Sequence, residues 1–100
     1  MSKKHIITDK IFLVVYLANT LLQKHKLDYY KFAFTDNVSV YGLCSHDTIY
    51  INYNYALNSD FEDITQTILH EIAHAIAGIE NGHNSYWKAI AQDIGVKDIN

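Results

Sequence analysis

The chain has no proline and a single cysteine. With no proline, no low-complexity stretch and no internal repeat, nothing marks a linker, so residues 1–100 read as one domain. Cys44 on its own cannot form an intramolecular disulfide or a cysteine-rich zinc ribbon. A lone thiol fits a reducing compartment, which points to the cytoplasm. No base accompanies Cys44, so it reads as a small packed side chain rather than a nucleophile. Basic residues are scarce too: eight against eleven acidic ones, a net charge of −3 and a pI near 6.0. That excludes a broad nucleic-acid face. The lysines at Lys3-Lys4 and around Lys24, Lys26 and Lys31 read as a solvated edge. Long apolar runs are missing as well. The longest, Ile11 to Ala18, is too short to span a bilayer, and no membrane association is expected. Because it follows Lys3, Lys4 and Lys10 it has the outline of a signal-peptide core, which makes secretion the alternative localisation. Tyr16 is bulky where a cleavage site needs a small residue, and the apolar pattern continues to Leu21 and Leu22, as in a core helix.

What the chain does contain is enough for one core: 49% hydrophobic residues and thirteen aromatics, eight of them tyrosine. Residues 1–7 read as a loose arm. Thr8 or Asp9 can cap a helix running to about Lys26. Phe12, Val15, Tyr16, Asn19 and Leu22 share one face, widened by Ile11, Val14, Ala18 and Leu21. Tyr29–Phe34 alternates as a strand, Asp36-Asn37 marks a turn, and Val38–Leu43 forms a second strand broken near Gly42. After a turn at Ser45-His46-Asp47, Thr48–Tyr55 is the clearest strand. Ile49, Ile51, Tyr53 and Tyr55 fall on one of its faces.

The next helix carries the chemistry. Asn58-Ser59-Asp60 caps it, Asp63 lies in its first turn, and it runs to about Ala77 before Gly78. Within it stands His70-Glu71-Ile72-Ala73-His74. Residues four apart on a helix are separated by about 40° around the axis and about 6 Å along it, so His70 and His74 can share one metal ion. Glu71 lies beside them, within reach of a water at the site. Phe61, Ile64, Ile68, Ile72, Ala75, Ile76 and Ile79 form the apolar stripe of this helix. The two histidines lie on the opposite side, near Asp63, Thr67 and Ala77, away from the place of a core histidine. Asn81-Gly82 turns the chain back, and Asn84 or Ser85 caps a last helix carrying Tyr86, Trp87, Ile90, Ala91 and Ile94 up to Gly95. The order is helix, three strands, motif helix, short helix, an α+β fold.

Catalytic zinc usually has three protein ligands and one open position. His83, just past the turn, is the expected third ligand. Glu80 competes for that place, and Asp93 is a weaker competitor that can instead accept a hydrogen bond from a ligand histidine. His5, His25 and His46 lack ligand spacing and read as surface residues. Tyr86 and Tyr53 are candidates for oxyanion or substrate contact, against an ordinary core or surface role. Trp87 reads as a core anchor beneath the site. Zinc-dependent peptide hydrolysis with Glu71 as the proton carrier is the leading expectation, acting on a protein or peptide substrate. An extended peptide could align along Thr48–Tyr55 if that strand is an edge. The alternative is a non-catalytic, zinc-stabilised protein-binding module, for which Glu71 would be unnecessary.

The stretch HEIAH…GHNSYWKAIAQDIG resembles the active-site segment of SprT-like zinc metallopeptidases, including small phage-encoded members. Tyr41-Gly42-Leu43-Cys44 and Ile49-Tyr50-Ile51 resemble the strands before their motif. The resemblance covers about residues 38–95 and is most specific in the spacing of the histidines and Trp87. It implies one Zn²⁺ per chain held by His70, His74 and His83, Glu71 as general base, and a compact zincin-like core. The cysteine-rich ribbon of larger members and the DNA-directing parts of Spartan-type relatives have no counterpart in this chain.

Overall fold

The computed structural model describes residues 3–99. Its elements are α1 (Lys3–Lys24), β1 (Lys31–Thr35), β2 (Gly42–Cys44), β3 (Thr48–Asn52), α2 (Tyr53–Asn58), α3 (Phe61–Ala77) and α4 (Ser85–Ile94), with a 3₁₀ turn at Ile79–Asn81. The fold is α+β. Among the described residues, no helix is long and apolar enough to cross a membrane.

α1 starts at Lys3 instead of Thr8 or Asp9. Residues 3–7, expected as a loose arm, are helical; Met1 and Ser2 lie outside the described residues. Lys3–Ile7 contains no glycine or proline, so a helix formed further on can propagate back through it without a cap. The other end closes in a Schellman arrangement. Leu27 N–H donates to Leu22 O at 2.8 Å and Lys26 N–H to Gln23 O at 3.0 Å, with Lys26 at φ 62°. The buried face is Val14, Ala18 and Leu22. Phe12 and Tyr16, expected on the core face, are 72% and 67% exposed, and Asn19 is exposed too. A helix that is apolar almost all round carries more apolar surface than its neighbours can cover. The row chosen has the small Ala18 at its middle, where Ile64 and Ile68 of α3 join the same cluster.

The sheet order is β1-β3-β2, with β1 parallel and β2 antiparallel to β3. β3 is therefore the central strand, not an edge, and has no free side for a peptide. The exposed edge nearest the motif helix is that of β2. β3 also ends earlier than its alternation suggests. Asn52 stops it: its Oδ1 accepts from Tyr55 N–H at 2.8 Å and its Nδ2 donates to Asn37 O at 3.0 Å. This N-cap turns Tyr53–Asn58 into α2. Tyr53 and Tyr55 thus leave the strand. The expected strand from Val38 is cut back for a similar reason. Asn37 Oδ1 accepts from Ser39 N–H at 3.0 Å, forming a side-chain-closed turn that leaves Val38 exposed.

α3 lies between two apolar clusters. Ile64, Ile68 and Ile72 join Ile49 and Ile51 of the sheet and Val14, Ala18 and Leu22 of α1. Leu69, Ala73 and Ala77 pack instead with Trp87 and Ala91 of α4 and with Val96. The single stripe read from the sequence is therefore incomplete. Phe61 and Ile76, at its margins, are exposed, while the side toward α4 is buried. With both flanks held, the remaining strip of α3 carries His70, Glu71 and His74.

Candidate metal centre

Local capping chemistry sets the rotation and ends of the site elements. Asp60 caps α3, its side chain accepting from Asp63 N–H, and Gly78 ends the helix at φ 96°. An L residue seldom takes that conformation. The Glu80 side chain folds back over Gly78, where a Cβ would meet its carboxylate. Asn81 Nδ2 then donates to Ala77 O at 2.6 Å, and Asn84 Nδ2 to Asn81 Oδ1 at 3.0 Å. Asn84 also caps α4, accepting from Trp87 N–H at 3.1 Å. His83 sits between these two asparagine anchors, so its loop is tied both to the end of α3 and to the start of α4.

The consequence is convergence of three imidazoles. His83 Nε2 lies 3.0 Å from His70 Nε2 and 3.1 Å from His74 Nε2. The ligand atoms of all three residues lie within 4.8 Å of one another. Trp87, 1% exposed, is the shared floor, with its ring centroid 4.7, 5.1 and 4.7 Å from those of His70, His74 and His83. Glu80 and Asp93 are both exposed and neither joins this group.

The donor set fits a small divalent cation. A single neutral Nε2 either donates or accepts, so His83 Nε2 cannot satisfy both of its close neighbours by hydrogen bonding. Whatever the tautomers, one approach would set two N–H groups or two lone pairs against each other, or crowd two donors onto one lone pair. A cation at the centre removes that conflict, and tetrahedral ligand nitrogens at zinc distances are about 3.3 Å apart. Burial holds the His74 pKa down to about 4, helped by His70 and His83. Burial and His83 lower that of His70, with Asp98 opposing. Both effects favour the neutral imidazole that binds metals.

Glu71 is only 7% exposed, and burial pushes its carboxyl up to about 7. It is pressed against β2 at Gly42. A Cβ there would stand 2.9 Å from Thr67 Cγ2 and 3.1 Å from both Glu71 Cγ and Oε2. Thr67 cannot yield easily: its hydroxyl is 2.8 Å from the Tyr55 hydroxyl and donates to Asp63 O at 3.1 Å. Gly42→Ala is therefore expected to destabilise the fold by about 1–3 kcal/mol, the usual cost of overpacking. A denaturant melt checks this, and an unchanged midpoint would mean that β2 can simply move aside.

Two cavities adjoin the cluster. The larger, about 560 Å³, is walled by Tyr41, Tyr55, Thr67, Gln66, Val96, Asp98 and Ile99; the smaller, about 270 Å³, by Leu43, Cys44 and Ile79. Both reach His70, Glu71 and His83. Tyr86 and Tyr53, the tyrosines singled out in the sequence, line neither of these two cavities. Tyr86 is largely exposed and Tyr53 packs edge-on against Phe34 at 5.6 Å. In their place Tyr41 and Tyr55 stack at 4.3 Å and 16°. The only local signal for that pair is Gly42 inside a strand pattern, which marks a close backbone approach. Cys44 is a half-buried thiol pushed up to about 11, by burial first and then by Glu71, as suits an inert packed side chain. His46 is exposed and His25 half-buried; neither is in the cluster.

Comparison with known proteins places this arrangement. Among curated proteins and among solved structures, nothing matches the chain significantly. The SprT-like family model does match, over residues 14–99. That span holds all three histidines, Glu71, Gly42 and Trp87, and on it the chain belongs to the SprT-like family.

Proposed function

We propose that this chain is a zinc-dependent metallopeptidase that cleaves peptide bonds in a protein or peptide substrate. The observation that carries the reading is the convergence of His70, His74 and His83 beside the buried carboxylate of Glu71. Zinc bound there supplies Lewis-acid activation of water and of the scissile carbonyl. Glu71 takes the proton of the attacking water and returns it to the leaving amine. A buried carboxyl beside the three histidines can make both transfers. An extended substrate pairs with the outer edge of β2, which runs past Glu71 at Gly42. The binding-module alternative gains nothing from Glu71, because a structural zinc needs no buried carboxylate next to it, and burying one is costly.

One zinc per chain is expected in protein grown with the metal. Chelation should lower Tm by several degrees, because the ion ties α3 to the loop before α4. Elemental analysis and thermal melts with and without chelator check this. Clearly substoichiometric metal with no calorimetric zinc uptake would defeat the proposal. So would failure of the zinc-loaded protein to cleave any member of a panel of unfolded proteins and peptides.

A further inference from the structure

We propose that the solvent-facing side of α1 is a dimer interface, on which a second copy of this chain packs its own α1 antiparallel about a two-fold axis. This surface is independent of the peptidase reading, for it shares no residue with the two cavities at the histidines.

The face follows from the rotation of the helix. With Val14, Ala18 and Leu22 turned inward, the opposite side carries Asp9, Phe12, Leu13, Tyr16, Thr20 and Gln23 at helical spacing, all exposed. From Ile11 to Gln23 the sequence has no charged residue. A helix face made for water normally carries charges; this one presents aromatic rings. Phe12 is 72%, Tyr16 67% and Leu13 49% exposed, and Phe61 of α3, which borders the same groove as Leu13, 42%. An aromatic side chain presents about 200 Å² when fully open, so these four leave roughly 400 Å² of apolar surface in one place. That is the size that marks an interaction site on a monomer. Two such patches face to face, with the polar residues around them, reach the ~1,000 Å² that a specific interface needs.

The shape and polar groups of the face select a copy of itself. Tyr16 stands between two grooves. One, almost wholly apolar, is lined by Leu13, Leu17 and Phe61; the other is lined by Phe12, Val15 and Asn19. A ridge beside a groove is how helices interlock. Under a two-fold axis the Tyr16 ridge of each copy fills the apolar groove of the other. The Tyr16 and Thr20 hydroxyls and the Gln23 amide each donate and accept, so they can pair with their own counterparts. Charge sets the direction. Lys10 is turned into its own chain, its Nζ donating to Leu57 O and Ser59 O. Asp9 then marks one end of the stripe and Lys24 the other, both exposed and about 22 Å apart along the axis. Antiparallel helices set each Asp9 beside Lys24 of the second copy, whereas parallel ones would set like charges together. A strongly charged partner finds nothing to pair with between them.

Sedimentation velocity of the full chain from about 1 to 200 µM is the test, with a dissociation constant on the order of 10 µM expected. The mass should rise from 11.5 kDa to twice that value. Tyr16→Glu buries a charge in the apolar groove and should keep the chain monomeric throughout. Because Tyr16 is exposed, the Tm of this variant at low concentration should match that of the wild type. Asp9→Lys and Lys24→Asp each break two pairs per dimer and should weaken association about tenfold. The two substitutions together should restore it. A wild type monomeric at every concentration, a Tyr16→Glu variant that dimerises like wild type, or a charge exchange that restores nothing would each overturn the proposal. A monomer that instead co-sediments with neutral phosphatidylcholine vesicles would overturn it in favour of a lipid surface.

Discussion

Glu71→Gln should lower kcat/KM for peptide hydrolysis by about 10²–10⁴-fold, the range for loss of a general acid–base group, while zinc content stays at wild-type level. The argument is positional. Glu71 is next to His70 but outside the group of three that converges on one point. It is buried against Gly42 and Thr67 and opens to both cavities. Glutamine keeps its length and shape but cannot accept a proton. It also carries no charge to desolvate, so Tm should hold or rise. A rise would mark a site where stability is given up for chemistry, as at many functional sites. Equal cleavage by the two proteins would assign the activity to a contaminant or to another residue. Loss of zinc would make Glu71 part of the metal's support instead.

The parts of the fold legible in the sequence are those set by local chemistry. Asp60, Gly78, Asn84 and Gly95 stand where capping rules put them, because an orphan helix-end group is satisfied by a residue one to three positions away. The one-turn spacing of His70 and His74 is equally local. The β3 end and the shortened β2 were hidden by competing local signals. Ile49 to Tyr55 alternates like a strand, yet Asn52 and Asn37 close side-chain turns that override the alternation. The rest depends on contacts distant in sequence. Nothing near Thr48 says that β1 will pair parallel on its far side and make β3 central. Nothing near Tyr41 says that Tyr55 will stack on it. The cavity wall of Val96, Asp98 and Ile99 is set by distant contacts: Gln66, 29 positions before Gly95, binds that segment, and Val96 packs against α3 and α4.

Trp87→Ala should be the most damaging single substitution outside the ligands, costing about 3–5 kcal/mol, the range for deleting a large buried aromatic. A domain of this size is stable by about 5–15 kcal/mol, so much of the margin would go. Trp87 is 1% exposed and packs in the cluster that joins α4 to α3 through Leu69, Ala73 and Ala77. Its ring also touches all three imidazoles, so an alanine leaves a void directly beneath them. Their positions would loosen, and zinc affinity should fall together with stability. Trp87→Phe separates packing from polarity. Among the described residues the indole Nε1 is buried with no hydrogen-bond partner, so removing it forfeits no bond. Phenylalanine should therefore cost only about 1–2 kcal/mol, for the smaller ring and the gap it leaves. Denaturant melts of the three proteins, each with chelator and with zinc, give both quantities. The chelated series reports the packing. The added loss of zinc stabilisation in Trp87→Ala reports the floor beneath the histidines. Equal zinc stabilisation in all three would show that His70, His74 and His83 are held by α3 and the asparagine-anchored loop alone.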